Sequence, residues 1–362
     1  MHYHTPLIVV VLLILSFTAG CTDSTEGLPG SSGSTASGND LVVEVSTMDS
    51  LLTSTYVQMA NLNVTFIDFE LTNPTDNPMT VIVESEIPGY TEKSINTVVV
   101  PARGTITVSQ TPALRSSAIP REMTTAAIHY RVASTSGNVI EEQTFPVKIY
   151  ARDTMVWGVY DGEEWNDMTP FIAAWVTPHG EGIDTLVRKA ADYHPDRSMS
   201  GYQCGTDCTE DDWEAYTNAQ VEAIYTALKN DYQITYINSP IAYGRSSENP
   251  QRVRLPAESL ASGAANCIDG AVLYAAALES IGLNPRLIIT PDHAFVCYET
   301  VPGTGQIACL ETTMTGSAPF DDAVAKGVEE YDEERANGNF GNGKSQELSV
   351  AGLREEGILP MA

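Results

Sequence analysis

Positive charge is scarce in this 362-residue chain: 19 Lys and Arg stand against 47 Asp and Glu, a formal net charge of −28. So acidic a surface repels phosphate backbones and anionic headgroups, which excludes nucleic acid as a partner and electrostatic docking on a membrane. Cysteine and histidine are equally sparse, six of each. Residues 41 to 152 hold no cysteine and one histidine, His129, with scattered carboxylates, so a spacer or binding module is expected there. No internal repeat occurs, and nothing in the pattern requires a metal or another cofactor. What is abundant is apolar sequence, 43% of the chain, enough for two ordinary domains.

The first 21 residues, "MHYHTPLIVVVLLILSFTAGC", carry an apolar run from Leu7 to Phe17, broken only by Ser16 and too short to span a bilayer comfortably. Small residues and Cys21 follow, so 1–21 is expected to be a signal peptide with a lipobox-like end and Cys21 the lipid-bearing residue. An uncleaved anchor is the competing reading. Residues 22–40, rich in Ser, Gly and Thr, have almost nothing to bury and read as a flexible linker. The body of the protein is therefore expected at the outer face of the cell membrane, held there by its N-terminus.

From 41 to 152, short Val-, Thr- and Ile-rich runs such as "NVTFIDFELTN" and "MTVIVESEI" alternate with turn formers such as "NPTDNP" and "PARG". That spacing predicts an immunoglobulin-like β-sandwich. After 152 the periodicity lengthens. "TEDDWEAYTNAQVEAIYTALKND" places Trp213, Tyr216, Gln220, Ile224 and Leu228 on one helical face behind a Thr209 cap. "ANCIDGAVLYAAALESIGLNP" predicts a second, almost wholly apolar helix, closed by Gly282 and Pro285. Three strand-like runs follow, "RLIIT", "HAFVCYE" and "QIACLET", then a polar-faced helix, with 341–362 left as a C-terminal tail.

Outside the cytoplasm, Cys204, Cys208, Cys297 and Cys309 are expected to form disulfides. "CGTDC" would close a small loop before a helix, and Cys297 and Cys309 flank "VPGTGQ" as cross-strand partners in a hairpin would. Zinc is the weaker reading of these four, because no histidine accompanies them. Cys267 stands apart at the start of the apolar helix, where unpaired N–H groups and the helix dipole favour a thiolate. A free thiol is mostly protonated at neutral pH, so an imidazole partner is needed. Strand alternation puts His293, Phe295 and Cys297 on one face, and Ile307, Cys309 and Glu311 on the matching face of the returning strand. Glu311 then falls near His293 and completes a Cys-His-acid set. Asp292, as the neighbour of His293 along a strand, is expected to point the other way. His179 and His194 sit in loop-like sequence with no expected chemistry, and Trp157, Trp165 and Trp175 read as core before cleft. Tyr236 and Gln251 are candidate side-chain donors to an oxyanion beside the backbone N–H of Cys267.

These residues resemble the transglutaminase-like (transglutaminase core) superfamily over roughly residues 205 to 315: a Cys at a helix start with Asp269 two positions on, a "GLNPR" turn, the His-Ala-aromatic strand at His293, and an acid followed by Thr at Glu311. "QRVRLPAESL" is similar to the lead-in of prokaryotic members. The resemblance implies a papain-like α+β domain over 153–340, with Cys267 as nucleophile, His293 as base, Glu311 as third member and Asp269 in a structural role. Two departures stand out, Glu311 for the commoner Asp and Phe295 for Trp. The expected function is acyl transfer from a protein, peptide or cell-envelope amide through a thioester, with hydrolysis favoured over crosslinking. The alternative is a non-catalytic binding module on the same fold.

Overall fold

A computed structural model describes residues 41–161, 164–238 and 250–361. The expected leader, Cys21 and the 22–40 linker lie outside the described residues. The chain divides between Arg152 and Asp153 into two compact units, and helices and strands together make it a mixed α+β protein.

The first unit contains β1 (Val42–Thr47), β2 (Ser50–Leu52), helix α1 (Tyr56–Asn61), β3 (Ile67–Thr72), β4 (Met79–Glu86), β5 (Ser94–Val100), β6 (Thr105–Gln110), β7 (Thr124–Ser134) and β8 (Val139–Tyr150). They form two sheets, β1-β3-β6 and β2-β8-β7-β4-β5, with every pair antiparallel except β2 and β8. The two-residue period decides which side is buried. In β3, Ile67, Phe69 and Leu71 face in while Asp68 and Glu70 stay out of the core, and in β4 Val81 and Val83 do the same. Both sheets contribute to one apolar cluster, in which Phe69 meets Tyr130 edge-on at 5.4 Å between ring centroids.

The second unit runs through β9 (Thr154–Met155), β10 (Gly158–Asp161), β11 (Glu164–Asp167), α2 (Ile183–Ala191), α3 (Glu210–Asn230), β12 (Thr235–Tyr236), β13 (Gln251–Arg252), α4 (Pro256–Ser262), β14 (Ala264–Ala265), α5 (Cys267–Ser280), β15 (Pro285–Ile289), β16 (Ala294–Glu299), β17 (Ile307–Leu310), α6 (Phe320–Ala336), β18 (Gln346–Ser349) and α7 (Val350–Glu355). Its main sheet is antiparallel in the order β17-β16-β15-β18, and α5 lies against β15 and β16. Helix α5 is apolar nearly all round because it is enclosed: Ile268 to Leu278 are all buried. It ends where Gly282 turns the chain at φ +80°, a conformation that excludes most side chains. Helix α3 starts on a capping box between Thr209 and Asp212 and buries Gln220, Ile224 and Leu228. Trp213 and Tyr216, expected on that face, are only half-buried there; Thr217 and Val221 complete the packed stripe. Trp157 and Trp175 belong to the core, donating their indole N–H groups to Gln251 Oε1 and Val253 O at 3.0 Å each.

One expectation is corrected here. Residues 341–362 do not form a separate tail, because Gln346–Ser349 pairs with β15 as the edge strand of the main sheet and α7 follows directly. The short run "QELS" has too little alternation to announce a strand; it is supplied with partners by β15, and Glu347 is held by Arg286 and Tyr331.

Helix α6 approaches β17 through Gly327, where an added Cβ would lie 2.7 Å from Leu310 N and 2.8 Å from the carbonyl carbon of Cys309. Both are backbone atoms and cannot step aside. Overpacking of this kind costs about 1–3 kcal/mol, which outweighs the roughly 1 kcal/mol that alanine gains as a helix former. Gly327→Ala is therefore expected to lower the urea midpoint, read by circular dichroism.

Candidate active site

Cys267 is the first residue of α5, preceded by Asn266 as N-cap. Asn266 Oδ1 accepts from the N–H of Asp269 at 2.8 Å, and Asp269 accepts in return from the N–H of Asn266 at 3.2 Å. Asp269 is fully buried and also takes the N–H and guanidinium of Arg254, at 2.7 Å each. Its carboxylate is wholly committed to holding the helix start in place. Cys267 itself is a free, half-buried thiol.

His293 lies in the turn before β16, where its carbonyl accepts from the N–H of Thr290 at 2.9 Å. Glu311 follows the end of β17. Cys297 stands opposite Cys309 in the β16–β17 ladder, and the two are joined by a disulfide. Across this hairpin the Nε2 of His293 meets Glu311 Oε2 at 2.6 Å. Glu311 is buried, and its other oxygen accepts from the N–H of Thr313 at 2.8 Å. A second disulfide joins Cys204 and Cys208 just ahead of α3. Crosslinks of this kind persist in oxidising, extracytoplasmic surroundings. Among the described residues no helix is long and apolar enough to cross a membrane.

Two opposed effects act on the imidazole. Burial pulls its pKa down, but hydrogen bonding to the Cys267 sulfur and to Glu311, with the negative charge of both, outweighs burial and pushes it up to about 10. At neutral pH the ring carries both protons. Burial pushes Glu311 up in turn, yet the hydrogen bond and charge of His293 and the Thr313 contacts hold it below the ordinary carboxylate value. His293 is thus coupled electrostatically to the sulfur and, through the 2.6 Å hydrogen bond, to the carboxylate.

Tyr236 ends β12, which pairs in parallel with β14 so that Tyr236 lies opposite Ala265, two residues before Cys267. Burial raises its phenol, and so do the charges of Cys267 and Glu311, which places the hydroxyl within the field of both. Gln251 is elsewhere in its bonding: it is buried, and its oxygen accepts from Trp157. Of the two side-chain donors considered, Tyr236 is the one near the sulfur.

Asp292 departs from expectation. It sits in the β15–β16 turn outside the strand, so alternation does not govern it, and it lines the same cleft as His293. His179 is exposed, whereas His194 is buried, its Nδ1 accepting from the N–H of Asp196 at 3.2 Å.

The cleft has a volume of about 510 Å³ and is lined by Asp292, His293, Phe295, Glu311, Lys326 and Glu330 among others; Cys267 is not one of its lining residues. Glu330, on α6, comes within 3.6 Å of His293 Nε2 and was not anticipated from sequence. The signal was present but faint: Glu330 follows the buried Ala323 and Gly327 at +7 and +3, on the stripe that packs. One ligand atom each from His293, Glu311 and Glu330 lies within 4.8 Å of the others, a span a metal ion can bridge. Nε2 is hydrogen-bonded to Glu311, while Glu330 Oε2 is buried without a hydrogen-bond partner.

No family model matches the chain, and no curated protein is found to be similar to it.

Proposed function

We propose that the second unit is a transglutaminase-like cysteine enzyme with a papain-like core, carried on an immunoglobulin-like β-sandwich and held at the outer face of the membrane through Cys21 and the 22–40 linker. The observation that carries this reading is the 2.6 Å hydrogen bond from His293 to a buried Glu311, with Cys267 as the first residue of α5 in electrostatic reach of the ring. The thiolate attacks an amide carbonyl of a protein, peptide or cell-envelope substrate, and its oxygen becomes an oxyanion beside the Cys267 N–H and the Tyr236 hydroxyl. The doubly protonated imidazole gives one proton to the departing amine as the C–N bond breaks, leaving a thioester. The now neutral ring takes a proton from the acceptor, which attacks the thioester and releases the thiolate. Water or an amine fills that role. Hydrolysis is the favoured outcome over crosslinking at this half-buried residue.

A second reading draws on the cleft, which reaches His293 without including Cys267. On that reading the unit binds a partner and performs no chemistry.

Iodoacetamide at neutral pH separates the two. An active pair gives one adduct, at Cys267, in the intact mass spectrum, and His293→Ala slows its formation by about 100-fold or more. A thiol that stays inert under these conditions selects the binding module. Incorporation of a fluorescent primary amine into a glutamine-bearing protein, run beside cleavage of the same protein, then distinguishes transferase from hydrolase.

A further inference from the structure

Two carboxylates converge on one nitrogen at this site. Glu311 Oε2 lies 2.6 Å and Glu330 Oε2 3.6 Å from His293 Nε2, which has a single proton to offer. Glu311 takes it. Glu330 Oε2 is buried and receives no hydrogen bond. The arrangement is imposed by the backbone, since Gly327 lets α6 lie against Cys309 and Leu310, and Glu330 is carried in one turn later. Carboxylates this close, with one donor between them, do not both hold a negative charge cheaply. A proton between them removes the conflict and gives the orphaned oxygen a role.

We propose that Glu330 is a positioning residue of the site, sharing one proton with Glu311 so that His293 faces a single negative charge at neutral pH and a second only when that proton leaves. The inference rests on the acyl-transfer reading for its consequence, although the shared proton itself does not. Several charged groups face Glu330. Lys326 on the same helix reaches its Oε1 at 3.4 Å but is shared with Glu329 at 2.9 Å. Asp292 from the β15–β16 turn and Glu333 and Glu334 from α6 line the cleft, and besides His293 the only basic residue lining it, among the described residues, is Lys326. Burial pushes Glu330 up to about 7, helped by the charge and contact of Glu311 and opposed by His293 and Lys326.

The sign of the effect follows. Below neutral pH Glu330 is neutral and donates to Glu311. Above it Glu330 ionises, and the added negative charge holds the imidazolium more tightly. The ring then keeps its proton to higher pH and gives it up less readily to a leaving amine.

Glu330→Gln keeps the shape and an N–H donor but never ionises. With ring-labelled histidine in the full chain, the His293 resonances of the natural sequence should show an inflection near neutral pH before the ring itself titrates. In Glu330→Gln that inflection should vanish, and the ring midpoint should move acidward by about one pH unit, tenfold in proton activity. Lys326→Ala, a change at the surface, should move the inflection alkaline, and it decides the matter if the glutamine variant does not fold. A ring midpoint identical in Glu330→Gln and the natural sequence, or an inflection unmoved in Lys326→Ala, overturns the proposal. If the ring responds as expected but iodoacetamide never modifies Cys267, the shared proton stands and the enzymatic reading falls alone.

Discussion

Replacing Cys267 with serine is expected to reduce amide turnover by about 10³-fold or more while leaving the fold intact. The hydroxyl is a far weaker acid than a thiol, so it is not held ionised beside the imidazole, and the sulfur that helps to keep the ring protonated is gone. The serine side chain is smaller than the thiol it replaces and sits at a half-exposed helix start, so packing changes little. Turnover is read as cleavage of, or amine incorporation into, a glutamine-bearing protein, and folding by thermal melting. Turnover within tenfold of the natural sequence would remove Cys267 from the chemistry.

The largest effect on stability is expected at Asp269. Its carboxylate is fully buried and accepts from Arg254 twice, from its backbone N–H and from its guanidinium, and from the N–H of Asn266. Asp269→Ala leaves the arginine and two backbone donors without their acceptor. Removing one partner of a buried ion pair destabilises by about 3–5 kcal/mol, and the lost cap adds about 1. The guanidinium is a quarter exposed and can turn to water, which places the total toward the lower end of that range. Urea unfolding measures the loss, and Asp269→Asn, which retains an acceptor without the charge, should lose roughly half as much. Because the same contacts hold Asn266 and the first turn of α5, Cys267 alkylation should also slow in Asp269→Ala under conditions where the protein remains folded.

Much of this architecture is written in local pattern. Alternation in "FIDFELT" and "MTVIVESE" is enough to form half-buried strands, because a period of two leaves only one way to hide the apolar face. The small and apolar residues after Asn266 announce an enclosed helix with a capped start. The β16–β17 register is legible as well: once Cys297 stands opposite Cys309, counting along both strands leads to His293 and Glu311, which do meet. Asp292 shows the limit of such counting, since it and His293 lie just outside the strand, where the turn and not the pleat directs side chains.

By itself, then, the sequence determined what depends on neighbours within a few residues: the strand faces, the helix caps, the disulfide-locked hairpin and the carboxylate at its foot. Only the tertiary structure decided what depends on segments far apart in the chain. It placed "QELS" as an edge strand beside β15, and it lowered α6 onto β17 through Gly327, bringing Glu330 against a histidine 37 positions earlier in the sequence. Periodicity reports which face of an element is buried but not what it is buried against. The partner is chosen by how closely two backbones can approach, and at α6 that distance is set by a missing side chain.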